Sequence, residues 1–354
     1  MEQALAELVE RVRAARAERA PLCVRAGGTK DFYGGEPQGT LVDPRPYRGI
    51  VNYDPTELVI TARCGTPLAE LEAELAEHRQ MLAFEPPHFG AGATAGGCVA
   101  AGLSGPRRAS AGAVRDFVLG AKLLDGNAQV LRFGGTVMKN VAGYDVARLL
   151  AGSLGTLGLI LEASIKVLPR PAEETTLQLE MDETQALSSM NAWGGQPLAI
   201  SATCWHRQRL AVRLSGSGAA VRSARERIGG EILDAASAEK LWRDVREQTA
   251  VFFQAEAPLW RFSVPSTAAP LALAGEQLIE WGGALRWLRT SEPAVTQRGR
   301  ASALGGHATR FRGGDASADA FTPLVPAIAD IHRRLKAQFD PDGIFNRGRI
   351  YKDL

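Results

Sequence analysis

The stretch PPHFGAGATAGGCVAAGLSGPRRASAG, residues 86–112, decides how the rest of the chain is read. Glycine, alanine and small polar residues dominate it, so it presents mostly backbone. Its core, GAGATA at 90–95, formally matches the dinucleotide fingerprint GxGxxG/A. That fingerprint works at the turn from a hydrophobic strand into a helix, and here Pro86 and Pro87 stand where the strand would be. A Rossmann site is therefore rejected. Neither GxxxxGKS nor GxxxxGKT occurs, which removes the P-loop hydrolases. The glycines must serve another cradle.

Upstream, RAGGTK at 25–30 follows a short strand-like segment. Consecutive backbone N–H groups in such a turn form an anion-binding concavity beside Arg25 and Lys30, which suits a pyrophosphate; an ordinary strand-to-strand turn is the competing reading. Downstream lie FGGTVMKNVAGYD at 133–145 and AGSLGTLGLI at 151–160. Glycine loses more backbone entropy on folding than any other residue. Four glycine clusters in separate loops therefore point to close backbone approach to a large flat or anionic ligand.

The surrounding pattern is mixed. Leu5, Leu8, Val9 and Val12 follow helical spacing and predict an opening amphipathic helix. TLVDP and ELVITARCG read as strands, and Thr66 is placed to cap a helix beginning at Pro67 with the stripe Leu68, Leu71, Leu75. FVLGAKLLD and AQVLRFG form a hairpin around Asp125, Gly126 and Asn127. Residues 141–150 read as a helix and 157–168 as a strand ended by Pro169 and Pro171. From about 173 to 320, strand-like LAVRLSG and LWRFSVP alternate with helix-like AAVRSARERIGG, as in an α+β domain.

Composition excludes several classes. At 354 residues two structural units are expected. The hydrophobic fraction of 45% and charged fraction of 23% fit a soluble globular chain rather than a disordered or membrane one. A net charge of +2 with no Lys/Arg block argues against nucleic acid, and no transmembrane segment or secretory signal is legible. A cytoplasmic location is expected. Cys23, Cys64, Cys98 and Cys204 are too scattered to ligate zinc or an iron-sulfur cluster, so no metal site is expected and electrons would leave through another molecule.

The ordered strings RAGGTK, ATAGG, GPRRASAGAVRDFVLG, VMKNVAGYD and GSLGTLG resemble the FAD-binding domain of the vanillyl-alcohol-oxidase and p-cresol-methylhydroxylase (PCMH) superfamily. Within it they are similar to the FAD-binding subunits of glycolate oxidase. The likeness covers about residues 20 to 170, and FDPDGIFNRGR at 339–349 resembles the superfamily's closing segment, with Arg347 where proline is usual. The resemblance implies an α+β fold: a two-lobed PCMH-type FAD-binding domain over 1–172, an inserted antiparallel-sheet cap over 173–320, and a segment, 321–354, returning to the first domain. It implies FAD as cofactor, a sister FAD subunit and an iron-sulfur subunit as partners in a glycolate oxidase complex, and a small 2-hydroxy acid as substrate. Attachment at the inner membrane would be peripheral, through those partners. Acting as a relay from the sister flavin is the first reading; a self-sufficient dehydrogenase and a non-catalytic scaffold are the alternatives.

The same resemblance assigns residues. Arg25, Ala26, Gly27, Gly28, Thr29 and Lys30 would hold the pyrophosphate. Pro87, Gly92, Ala93, Thr94, Gly96 and Gly97, with Ser104, Gly105 and Gly112, would line the cofactor. Gly155, Gly158 and Ile160 would lie near the adenine, and Asn346 would approach the isoalloxazine. Lys30, Asp31 and Phe32 stand where covalent members carry a linking histidine, so non-covalent FAD is expected, Cys98 being a buried structural residue. His307, in GGHATRF, is the candidate catalytic residue, with His88 behind it. Arg107, Arg108 and Arg115 could meet an anion or be solvated, and Asp116 could pair with one of them. Lys139 and Asp145 could pair, with Tyr144 as an aromatic wall. The six tryptophans, all between 193 and 287, read as core or as an interface.

Overall fold

The amphipathic spacing at the start of the chain produces helix α1 (Glu2–Glu18), which buries Leu8, Val12 and Ala15. They join Leu22, Val42, Tyr47, Leu159, Leu161 and Phe345 in one apolar cluster, so the first and last parts of the chain share a core. The computed structural model describes residues 2–136, 145–271, 275–314 and 319–354. By internal contacts the chain divides into two units. Unit 1 is Met1–Leu103, Ala113–Pro169 and Pro323–Leu354; unit 2 is Ser104–Gly112 and Arg170–Thr322.

In unit 1, β1 (Leu22–Val24) and β2 (Thr40–Val42) pair in parallel. A five-stranded antiparallel sheet contains β3 (Ile50–Asp54), β4 (Val59–Arg63), β6 (Val118–Leu124), β7 (Val130–Gly134) and β8 (Leu159–Lys166), in the order β3-β4-β8-β6-β7. Its central strand β8 is buried from Leu159 through Ile165, and the buried Glu162 is met by Lys122 at 2.8 Å and by the Tyr47 hydroxyl at 3.0 Å. Short β5 (Gln80–Met81) pairs with β9 (Leu168–Pro169).

The sequence reading needs four local corrections here. Thr66 does not cap α2 (Leu68–Glu77), whose N-cap Pro67 has no side-chain bond; its hydroxyl accepts from Gly49 N at 2.9 Å and donates to Gly49 O at 3.2 Å. Strand β3 was not foreseen, because an exposed edge strand carries little apolar alternation. The run 157–168 is split into β8 and β9. The helix expected over 141–150 is observed at Val146–Leu149, and 137–144 lie outside the described residues, together with Lys139 and Tyr144.

Unit 2 carries an eight-stranded antiparallel sheet: β10 (Glu173–Glu180), β11 (Ile200–His206), β12 (Arg209–Gly216), β13 (Glu231–Ile232), β14 (Leu259–Ser263), β15 (Gln277–Glu280), β16 (Leu285–Arg289) and β17 (His307–Arg312). The order is β13-β10-β12-β11-β15-β16-β14-β17. Helices Glu183–Gly194 and Gly218–Ile228 contribute Ala186, Leu187, Met190, Val221 and Ala224 to a core with Leu210 and Val212. Trp205, Trp242, Trp260, Trp281 and Trp287 are buried, which favours the packing reading of the tryptophans. Residues 104–112 join this unit by direct bonds: Ser110 Oγ donates to Ser201 O at 2.9 Å and Trp281 Nε1 to Gly105 O at 3.1 Å. No helix among the described residues is long and apolar enough to cross a membrane.

Candidate cofactor site

The site begins where β1 ends. Arg25 N donates to Val42 O at 3.0 Å, closing the parallel pair, and the chain then turns through Ala26, Gly27, Gly28 and Thr29. The N–H groups of these four residues find no acceptor among the described residues, and the turn closes only with Asp31 N on Gly28 O at 3.2 Å. Four successive unbonded donors facing a cleft make an anion nest.

A second loop faces the first at backbone distance. A Cβ on Gly27 would lie 1.8 Å from Gly92 O, so no side chain fits between them. Lys30 ties the loops together, its Nζ donating to His88 O at 3.1 Å. Thr94 starts helix α3 (Ala95–Ala101), its hydroxyl accepting from Gly97 N at 3.2 Å.

The third wall comes from 151–160 and from the end of the chain. Leu22 N donates to Ile344 O at 2.7 Å and Asn346 N to Leu22 O at 2.9 Å, which lays the closing segment along β1. The Asn346 amide is a staple: Oδ1 accepts from Val24 N at 2.7 Å and Nδ2 donates to Leu154 O at 2.7 Å. Gly155, at φ +73°, leaves room for that amide, since a Cβ there would sit 2.6 Å from Asn346 Nδ2. Asn346 itself is at φ +41°, a conformation asparagine tolerates better than most residues.

Two adjoining hollows result, sharing Val24, Ala26, Thr94, Gly97, Ala100, Leu154 and Asn346 as a common wall. One is lined by Arg25, Gly27, Gly28, Thr29, Lys30, Gly92 and Ala93. The other is lined by Gly96, Gly155, Gly158 and Ile160. Pro87 is buried and lines neither. Ser104, Gly105 and Gly112 belong to unit 2, as does His307.

Other candidates have defined partners. His88 Nε2 lies 3.1 Å from Glu72 Oε2. Arg107, 7% exposed, is not solvated but donates to Glu174 Oε2 at 2.6 Å. Asp116 pairs with no arginine among the described residues and accepts from Ala113 N at 2.8 Å. Asp145 pairs with Arg148 at 2.9 Å. Arg108 and Arg261 lie over the Trp281 ring, at 4.4 and 5.3 Å from its centroid. Desolvation of the ring, then the charge of Arg261, hold His307 below the usual histidine range. Burial pushes the Cys98 thiol up to about 12, so it is not a nucleophile at neutral pH.

Two cations in the closing segment escaped the sequence reading. Lys336, on the helix Pro326–Phe339, donates to Thr156 O at 2.6 Å, Asp340 Oδ2 at 2.7 Å and Phe345 O at 2.8 Å, tying the third wall to the final turn. Arg349 lines the cleft and donates to the carbonyls of Asp31 at 3.2 Å, Tyr33 at 2.8 Å and Gly35. Only a resemblance of the whole FDPDGIFNRGR string pointed toward this segment, and it pointed to Asn346 alone.

Fold and cleft together define the class: a PCMH-type FAD-binding fold of an FAD-dependent oxidoreductase. Residues 3–134 match the family described as an FAD binding domain. Two solved crystal forms of alkyldihydroxyacetonephosphate synthase share the fold; one has a TM-score of 0.66 at 14% identity, covering 96% of this chain and 75% of that one. The glycolate oxidase subunit GlcE of Escherichia coli K12 is 49% identical over 347 residues, 98% of this chain and 97% of that protein. The chain belongs to the GlcE family. Over 162 residues it is also 33% identical to the glycolate oxidase subunit GlcD of Bacillus subtilis, covering 45% of this chain and 34% of that protein.

Proposed function

We propose that this chain is the FAD-carrying subunit of a glycolate-oxidising complex, holding FAD without a covalent bond and relaying electrons between a sister FAD subunit and an iron-sulfur subunit. The observation that carries the proposal is the nest of unbonded N–H groups at 26–29, set against Gly92 with no space for a side chain. A diphosphate supplies the acceptors those donors lack. In this reading Arg25 through Lys30 hold the diphosphate and Gly92, Ala93, Thr94, Gly96 and Gly97 form the opposite wall. Gly155, Gly158 and Ile160 line the adenine end, and Asn346 fixes the walls rather than reacting.

Bound FAD would supply two-electron redox chemistry, and the residues described here would hold its diphosphate and orient it. Non-covalent attachment is supported by the Cys98 thiol, which stays protonated, and by Lys30, Asp31 and Phe32 standing where a linking histidine would be. Relay to a partner is supported by whole-length likeness to a protein named as a subunit.

One observation favours a second reading, in which the chain oxidises a 2-hydroxy acid itself. Arg261 in unit 2 has no carboxylate or hydrogen-bond partner among the described residues, and it lies near His307, whose depressed pKa leaves a neutral imidazole able to accept a proton. Adding glycolate without oxygen to the purified holoprotein separates the two. A flavin spectrum that stays oxidised until partner subunits are added supports the relay; bleaching by glycolate alone supports the second reading and overturns the first.

A further inference from the structure

Arg349 is 6% exposed, and all three of its hydrogen-bond acceptors are backbone carbonyls of residues 31–35. No carboxylate lies within ion-pair distance of it among the described residues. Asp31, the acid whose charge it feels, is committed to Arg25 at 2.5 Å. Two other buried cations of the chain are compensated: Lys336 has Asp340 at 2.7 Å and Arg107 has Glu174 at 2.6 Å. Taking a charge out of water without a counter-charge is costly, and such a site favours whatever anion can reach it. Arg286 and Arg289 are also buried against carbonyls, but they belong to unit 2.

What distinguishes Arg349 is its place. It lines the same cleft as the unbonded N–H groups of residues 26–29, and it reaches that wall from the closing segment. Its backbone is tied to the same loop, Gly35 N donating to Arg349 O at 2.9 Å. One side chain therefore joins the first glycine loop, the end of the chain and the cleft. Burial pushes its guanidinium below the usual arginine range, consistent with a charge short of compensation.

We infer that Arg349 is the buried counter-charge for the cofactor's diphosphate, and that binding the diphosphate locks the closing segment onto the first glycine loop. The inference rests on the reading of the cleft as an FAD site and adds a positioning residue to it. The diphosphate neutralises a cation that no carboxylate among the described residues pairs with, while the three carbonyls keep the guanidinium in place. Cofactor occupancy and order of the chain's end are thereby coupled.

The test titrates FAD into the deflavinated full-length chain at low and at raised ionic strength. Charge-assisted hydrogen bonds contribute enough that Arg349→Met should weaken FAD binding about 10- to 100-fold and reduce its salt dependence. Arg349→Lys, which keeps the charge, should retain that salt dependence. A purely structural clamp gives the opposite pattern: both variants weaken binding alike, with the salt dependence of the wild type, and that result overturns the inference. Should Arg349→Met not fold, limited proteolysis of the wild type decides. FAD and ADP should protect the segment after Asp340, and adenosine should not; equal protection by adenosine and ADP, or none by FAD, overturns it. A wild-type chain that takes up no FAD at all would instead remove the cofactor reading on which the inference stands.

Discussion

The two units use backbone polar groups in different ways. In unit 2 backbone carbonyls hold buried cations: Arg286, wholly buried, donates to Gly283 O at 3.1 Å and to the carbonyls of Ala269 at 2.6 Å and Ala268 at 2.5 Å. Glu174 accepts from Arg107 and Ser215, both at 2.6 Å. In unit 1 the cleft keeps donors at residues 26–29 in reserve, and the nearby charged side chains are spent on holding loops together. Carbonyls turned onto buried cations hold a core together; unbonded backbone donors beside glycine produce a binding site.

The contrast can be broken from either side, and the largest effect is expected in unit 2. Arg286→Met removes charge-assisted hydrogen bonds to the carbonyls of Gly283, Ala268 and Ala269 from a wholly buried site and should cost about 3–5 kcal/mol of stability in chemical denaturation. Retention of FAD by the fraction that folds should be unchanged. In unit 1 the effect should fall on the ligand instead. Gly27→Val puts a side chain into the space held by Gly92 and should weaken FAD binding by roughly a hundredfold, read as flavin content after purification. Wild-type flavin content in this variant would mean that the nest is not the diphosphate site.

A smaller effect tests the wall between the two hollows. Asn346→Ala removes bonds to Val24 N and Leu154 O and should destabilise the chain by about 1–3 kcal/mol while weakening FAD only in proportion. A variant with full stability but no flavin would make Asn346 a direct cofactor contact. The smallest effect belongs to His307. Because partial desolvation and the charge of Arg261 lower its pKa, the imidazole of His307, though exposed at the strand end, stays neutral in a window just below 6.5 where a free histidine would charge. Arg261→Gln should move its NMR titration midpoint upward toward 6.5; no upward movement would remove Arg261 as a cause.

How much of this was legible follows from the same contrast. A cleft made of backbone leaves its mark on the sequence, because only glycine permits the approach of Gly27 to Gly92 or the space beside Asn346 Nδ2. RAGGTK, ATAGG and GSLGTLG therefore stood out by composition as sites of close backbone approach, and the family resemblance supplied their places around a cofactor. Lys336 and Arg349 did not stand out, since a cation near the end of a chain looks like a solvated one until its acceptors, Thr156 O and Tyr33 O, are located. Thr66 read as a cap because Thr-Pro is a helix-start signal, yet a long-range bond to Gly49 took its hydroxyl. In unit 2, strands such as LAVRLSG and LWRFSVP were readable, but the partners that bury Arg286 and Arg107 are not sequence neighbours.

The most direct test of the central claim, that the cleft of unit 1 holds dissociable FAD, is the visible absorption spectrum of the chain purified alone, followed by acid precipitation. The account predicts a flavin spectrum, with FAD released into the supernatant and recovered by the refolded or deflavinated chain on titration. A chain that is colourless and cannot be reconstituted with FAD would contradict it, as would flavin that stays with the precipitated protein.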